Sequence, residues 1–310
     1  MKSTQSQQPA ETEACLPESS PENKDSAEQA TCPVPLGWKK VVATFQKDAT
    51  TWNIPFKETT LTGKTWGTGP VLIIAGSLTS KPNLFSLLVY LLREEFTCIL
   101  YEPSDSQSQT PSSLSEELIA VADHHSASQF HLYASGFGSV AALTTALNHP
   151  QRINKMILQG GFAHRKLSFV ERFLLFCGRL FPSKLQSLPG FQTIFVENHR
   201  RWFPPFDGSR WEFLSQEVGE HRIKRIARLA SVLKVFNVKN QLSKINCQTL
   251  LLRTEGDGAV LADHQQQLLN SMPNVQEEYL QHTGYLTYLT HPHRIAKIIR
   301  PFLLDEQEKS

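Results

Sequence analysis

Residues 130–163 read FHLYASGFGSVAALTTALNHPQRINKMILQGGFA. An apolar run at 130–134 enters a Ser-Gly-Phe-Gly turn, a helical pattern follows as far as Asn148, and a second apolar run occupies 155–158. Short apolar runs that alternate with helices are typical of a mostly parallel sheet covered on both faces. This segment therefore predicts a strand, a tight turn, a helix and a neighbouring strand of an α/β fold.

The same alternation continues on both sides of this segment. Ser113 and Glu116 have the spacing of a capping box at the start of one helix. We expect a mostly parallel central β-sheet flanked by helices. Its further strands are predicted at 71–74, 97–101, 249–252 and 277–280, and its helices at 83–95, 113–125, 263–272 and 293–304.

Strand signals disappear between residues 163 and 242, where amphipathic helical patterns replace them. We predict a helical insertion over 163–242, which divides the α/β core into 37–162 and 243–310. The apolar residues that recur at helical spacing are Phe169, Phe173, Phe176 and Leu180 in one stretch, and Ile223, Ile226, Leu229 and Leu233 in another.

Residues 1–36 differ in composition from the rest of the chain. They hold six acidic and two basic residues, many Ser, Gln and Pro, and no apolar run. Such a segment cannot bury enough surface to offset the entropy of ordering, so we expect a disordered tail. It also lacks the apolar stretch of a secretory signal, and Cys15 has no apolar residues before it, so neither export nor a lipid anchor is expected.

Charge and cysteine content exclude several classes of protein. The 310 residues carry 31 Lys and Arg against 29 Asp and Glu, a net charge of +2, which does not indicate a nucleic-acid partner. Five widely spaced cysteines without a CxxC motif indicate neither a disulfide framework nor a zinc site and favour a reducing, cytoplasmic location. No 18-residue apolar window predicts a transmembrane segment. With no Gly-rich phosphate loop and no HExxH motif, we expect no cofactor and no metal.

The order of these elements resembles that of the α/β-hydrolase family. The most specific likeness lies in 130–163, which matches the strand, nucleophile elbow, helix and following strand of that family. Weaker likenesses are GTGPVLIIAGS at 67–77, LLLRTEGDGAV at 250–260 and YLQHTGYLTYLTHPHRIAKII at 279–299. The resemblance implies an α/β-hydrolase fold with a helical cap and a catalytic triad of nucleophile, acid and histidine.

Most of the triad positions carry altered residues. The family places its nucleophile on a sharp G-x-S-x-G turn, and this position falls on Gly136. The position of the acid falls on Asp257, which is kept, and that of the histidine falls on Tyr285. Because glycine cannot form an acyl enzyme, the resemblance implies a degenerate triad in a non-catalytic protein, a pseudoenzyme that binds a ligand or a protein.

The oxyanion side of the site is altered as well. The His-Gly pair that follows the first buried strand in the family is Ala75-Gly76 here. By the resemblance, the oxyanion and pocket positions are Gly76, Ser77 and Phe137. Tyr285 either donates a hydrogen bond into this pocket or fills the space of the missing imidazole.

A second hypothesis keeps the protein an enzyme. Ser135, one residue before the elbow, would then be a displaced nucleophile, supported by His282 and Asp257, in a hydrolase of esters or small acyl substrates. The alternative for Ser135 is a small residue at the end of a strand, and for His282 an exposed loop residue.

The predicted cap is both aromatic and basic around 199–205 and 221–225. By the resemblance, its apolar faces would pack on the main domain over a pocket. The pattern favours a small apolar, anionic or acyl ligand under the cap, or docking on an acidic surface or a protein partner. The alternative is a cap whose Arg and Lys side chains are simply solvated.

Overall fold

A computed structural model describes residues 37–106, 108–203, 208–256 and 262–305 of the chain. Eight strands form one sheet in the order β1-β2-β4-β3-β5-β6-β7-β8. β1 pairs with β2, and β2 with β4, in antiparallel fashion, while all other neighbours are parallel. The strands are β1 Thr50–Phe56, β2 Thr59–Trp66, β3 Val71–Ala75, β4 Thr97–Glu102, β5 Phe130–Ser135, β6 Ile153–Gln159, β7 Gln248–Gly256 and β8 Val275–Gly284.

Helices precede, connect and follow the strands. They are α1 Trp38–Asp48, α2 Ser86–Leu92, α3 Pro111–His124, α4 Gly138–Asn148, α5 Phe169–Gly178, α6 Phe191–His199, α7 Gly208–Gly219, α8 Ile223–Ala230, α9 Ala262–Ser271, α10 Thr287–Thr290 and α11 Pro292–Leu304. The mostly parallel sheet flanked by helices confirms the predicted fold class. No helix of the described part of the chain is long and apolar enough to cross a membrane.

The centre of the sheet positions the candidate site. Every residue of β5 is buried, because β3 and β6 flank this strand and α4 covers it. Gly138, the first residue of α4, has no room for a side chain, since a Cβ there would lie 2.1 Å from the Ala75 carbonyl oxygen. The start of α4 is thus packed directly against the end of β3.

A predicted capping box differs from the structure, and some elements of the structure had not been predicted. Helix α3 begins at Pro111, and its capping box joins Thr110 to Ser113, so the predicted Ser113–Glu116 box was wrong. The reason is that proline is favoured in the first turn of a helix, which moves the N-cap to the preceding threonine. Helix α1 and the β1–β2 hairpin had no counterpart among the predicted elements.

The described residues between β6 and β7 form helices and turns. The apolar faces of the predicted cap were expected to pack on the main domain. Leu229 and Leu233 do lie in the core, whereas Phe169, Phe173, Phe176 and Leu180 do not, because their side chains are 84%, 57%, 62% and 71% exposed. Helix α5 instead approaches α8 through Gly178, where a Cβ would lie 3.1 Å from the Ala227 Cβ. The predicted tail at 1–36 lies outside the described residues, and its disorder stays a prediction.

Candidate functional site

Gly136 lies at the sharp turn between β5 and α4, with a φ of 50°. Glycine adopts this left-handed conformation at little cost, whereas an L side chain is strained there. The Gly136 N–H donates to the Gln159 carbonyl at 2.9 Å, and the Ser139 N–H donates to the Gly136 carbonyl at 3.0 Å. The main chain thus makes a tight strand-to-helix turn with glycine at its apex.

Tyr285 occupies the space above this turn. A Cβ built on Gly136 would lie 2.0 Å from the Tyr285 Oη and 2.9 Å from its Cζ. The Tyr285 main chain is held on both sides, since its N–H donates to the Gly256 carbonyl at 3.2 Å and its carbonyl accepts from the Gln159 Nε2 at 2.7 Å. The Ser135 Oγ donates to the Tyr285 Oη at 3.2 Å. A side chain at position 136 and the tyrosine ring therefore compete for one volume.

The displaced nucleophile and base of the enzyme hypothesis have different surroundings. Ser135 is fully buried and its hydroxyl is directed to Tyr285. The His282 side chain is 90% exposed, with its Nδ1 3.7 Å from the Glu255 Oε2. The structure does not bring the two together, and Asp257, the third member, lies outside the described residues.

Replacing Tyr285 with phenylalanine removes the acceptor of the buried Ser135 hydroxyl. We expect Tyr285→Phe to lower the free energy of unfolding by about 1 to 2 kcal/mol, because a buried hydroxyl without its partner is costly. Urea unfolding measures this loss. Tyr279→Phe, on the half-exposed Tyr279 of β8, is the matched control and should change stability by less than about 0.5 kcal/mol. An equal loss in both variants would contradict the role assigned to the Tyr285 hydroxyl.

The Ser77 N–H, at a predicted oxyanion position, already has an acceptor. It donates to the Ser80 Oγ at 3.0 Å, and the Ser77 and Ser80 hydroxyls lie 2.9 Å apart. The Ser80 Oγ is also 3.3 Å from the Tyr288 Oη, and burial raises the pKa of Tyr288 well above its usual range. Sequence reasoning missed Ser80 and Tyr288, because nothing in their spacing indicates that they meet across 208 residues.

The described residues enclose a small cavity beside the elbow. A cavity of about 10 Å³ adjoins Gly76 and Phe137. This volume holds at most one water molecule. Its walls are mostly apolar side chains and glycine. The lining residues are Ala75, Gly76, Tyr101, Pro103, Leu114, Phe137, Gly138 and Ala141.

Trp202 covers the ends of β7 and β8. A Cβ on Gly256 would lie 2.2 Å from the Trp202 Cε2, and one on Gly284 would lie 2.4 Å from its Cγ. The indole therefore packs directly on the main chain of both strands, next to the loop that carries Tyr285. The sequence included Trp202 in an aromatic and basic run but did not indicate this contact.

Comparison with known proteins finds similar folds at low sequence identity. No family model matches the chain. A pyrrolizixenacetamide deacetylase of Xenorhabdus hominickii is 23% identical over 199 residues, which are 62% of this chain and 72% of that protein.

Solved structures give the same result. A thermophilic esterase of Thermogutta terrifontis superposes with a TM-score of 0.71 at 18% identity, over 82% of this chain and 98% of the esterase. The enol-lactonase of Burkholderia xenovorans superposes with a TM-score of 0.70 at 15% identity, over 82% of this chain and 100% of the lactonase. Fold alone does not establish a reaction. Together with the sheet order and the elbow, these likenesses show that this chain has the α/β-hydrolase fold.

Proposed function

We propose that this protein is a non-catalytic member of the α/β-hydrolase fold, which acts by binding and not by turnover. The observation that carries the proposal is the Tyr285 hydroxyl, which lies where a side chain at position 136 would begin. In this fold the nucleophile projects from that apex, with a histidine within hydrogen-bond reach. Here a glycine without a side chain faces a tyrosine that fills the space.

The oxyanion side supports the same conclusion. Stabilisation of a tetrahedral intermediate needs N–H donors directed at the developing negative charge. The Ser77 N–H is instead engaged by the Ser80 hydroxyl, within a network that extends to Tyr288. An acyl substrate would have to displace Ser80 before Ser77 could act as a donor.

The small interior favours binding at the surface. Pockets for small molecules in proteins usually measure about 300 to 1,000 Å³. The cavity beside the elbow offers about 10 Å³, and Trp202 covers the neighbouring strand ends. A ligand buried at the former catalytic centre would therefore need Trp202 or Tyr285 to move, whereas a surface partner would not.

Labelling of the full chain with a fluorophosphonate, a probe of activated serines, tests the proposal. We expect no labelling of the wild-type protein and no turnover of p-nitrophenyl esters above that of the Ser135→Ala variant. An active serine esterase in the same assay is the positive control. Labelling of the wild-type protein that Ser135→Ala abolishes would show an enzyme with a displaced nucleophile, and the proposal would be wrong.

Restoring the family residues tests the assignment of positions. The Gly136→Ser/Tyr285→His variant should gain weak labelling at position 136, because both the nucleophile and its base are then supplied. Adding Ser80→Ala should raise its esterase rate by roughly 10- to 30-fold, since one oxyanion donor is typically worth at least that much and the Ser77 N–H becomes free. Ser80→Ala in the wild-type background, which should remain inactive, is the control. Equal rates with and without Ser80→Ala would contradict the donor role assigned to Ser77.

A further inference from the structure

The surface of α5 carries an unusually apolar face. We define the α5 face as Phe169, Val170, Phe173, Leu174, Phe176 and Leu180, which are all at least 57% exposed. Successive residues of a helix are rotated by about 100°, which places these side chains on one half of the helix surface. Leu180, just beyond the end of α5, continues the same side. None of them carries a hydrogen-bonding group. A contiguous exposed apolar surface of this kind marks an interaction site, because leaving it in water is unfavourable.

The outward direction of this face follows from how α5 is held. Ser168 and Glu171 form a reciprocal capping box, with N–H donations of 3.2 and 2.8 Å, and Arg165 binds the same glutamate at 2.6 Å. Another side of the helix approaches α8 at Gly178, where an added Cβ would lie 3.1 Å from the Ala227 Cβ. The helix is thus anchored by its capping box, by Gly178 and by the partly buried Leu175, which packs against the core, and the side chains of the α5 face are left at the surface.

Basic side chains accompany the α5 face. Residues 164–203 contain seven Lys or Arg and two Glu, although the whole chain is nearly neutral. Lys166, Arg172 and Arg179 are exposed and make no ion pair within the described residues. On the helix, Arg172 and Arg179 lie together along one border of the apolar face. Unpaired cations beside exposed Phe and Leu are typical of helices that lie in a membrane interface.

We propose that the α5 face docks on an anionic lipid bilayer, with its Phe and Leu side chains inserted among the acyl chains and Arg172 and Arg179 at the headgroups. A second copy of the chain fits less well, because it would bring the same cations together. A protein interface usually relies on hydrogen bonds and on Tyr, Trp and Arg anchors, whereas this face offers Phe, Leu and Val. The inference rests on the proposed function, binding at the surface, and identifies the partner as a lipid bilayer. It does not depend on whether the elbow has activity.

Flotation of the full chain with vesicles tests this inference. One set of vesicles contains phosphatidylcholine alone and the other about 30 mol% phosphatidylserine. We expect the protein to float with the anionic vesicles, and the bound fraction to fall as salt is raised, because the arginine contribution is screened. Two variants separate the contributions. Phe169→Ser/Phe173→Ser should weaken the partition coefficient by roughly 30-fold, and Arg172→Glu/Arg179→Glu by roughly 10-fold.

Matched controls place the same chemical changes elsewhere on the surface. Val235→Ser/Tyr279→Ser removes two other exposed apolar side chains, and Lys47→Glu/Lys297→Glu reverses two other exposed cations without an ion pair. Both should bind like the wild type. Circular dichroism should show unchanged folding of all four variants, because the altered side chains are exposed.

Three outcomes would overturn the inference. These are no flotation of the wild type with anionic vesicles, equal losses in the α5 variants and their controls, and a wild-type dimer that Phe169→Ser/Phe173→Ser dissociates in the absence of lipid. The last outcome would assign the α5 face to a second copy. None of them changes the expected absence of fluorophosphonate labelling, so failure of this inference is distinguishable from failure of the non-catalytic proposal.

Discussion

Gly136→Ala should destabilise the protein by about 3 to 4 kcal/mol. About 1 to 2 kcal/mol of this comes from placing an L residue at a φ of 50°, and the rest from overpacking against the Tyr285 hydroxyl, which would lie 2.0 Å from the new Cβ. Urea unfolding followed by circular dichroism measures the change in the free energy of unfolding. In the Tyr285→Ala background the ring is absent, so Gly136→Ala should destabilise the protein only by the backbone strain of about 1 to 2 kcal/mol.

Two other glycines serve as controls for Gly136. Gly190 has a φ of 75° and nothing within 4 Å of a Cβ, so Gly190→Ala isolates the backbone strain at about 1 kcal/mol. Gly208 begins α7, and no atom of the described residues lies within 4 Å of a Cβ there, so Gly208→Ala should be close to neutral. An alanine at 136 that costs the same with and without Tyr285 would show that the two positions do not share space.

Acid should destabilise the fold through two buried histidines. Burial and the nearby Lys155 lower the pKa of His131 to about 4, and burial and Arg225 lower that of His221 to about 4. Both rings are neutral in the folded state, whereas the unfolded chain protonates them near pH 6.5. Each neutral histidine therefore contributes about 3 kcal/mol to the free energy of unfolding above pH 6.5. This contribution is lost as the pH falls from 6.5 to 4.

A variant isolates the contribution of His131. His131→Phe keeps a ring of similar shape against Phe96, 6.1 Å away between centroids, and removes the titrating group. Its stability should fall by about 3 kcal/mol less than that of the wild type between pH 7 and pH 4. Val235→Ala, at an exposed position, leaves every histidine in place and is the control that should follow the wild type. Parallel pH profiles of the wild type and His131→Phe would contradict the prediction.

The sequence predicted the parallel part of the sheet because those strands are continuous apolar runs. The β1–β2 hairpin was missed because its buried apolar side chains are Trp52, Ile54 and Leu61, which are separated by Thr, Asn and other polar residues. Such a sparse pattern does not by itself predict a strand. Helix α5 shows a related limit. Its apolar stripe was recognised from periodicity, but periodicity does not tell which surface, if any, covers the stripe.

The sequence singled out Gly136 and Tyr285 as candidate positions but did not give the distance between them. The elbow motif locates Gly136, and the Thr-Gly-Tyr segment locates Tyr285, 149 residues further along the chain. That the tyrosine hydroxyl enters the space above the glycine depends on how β8 and its loop pack, which no local pattern encodes. The Ser77–Ser80 hydrogen bond likewise arises from the fold of a short loop.

The shared volume of Gly136 and Tyr285 has an evolutionary consequence. A lineage that acquired serine at position 136 while it retained the tyrosine would pass through a poorly folded intermediate, which selection removes when stability falls below the level needed for function. Loss of the tyrosine has to come first, and that step alone confers no nucleophile. The two positions are thus epistatic, and a serine at the apex of this turn can be reached in one order of substitutions but not in the other.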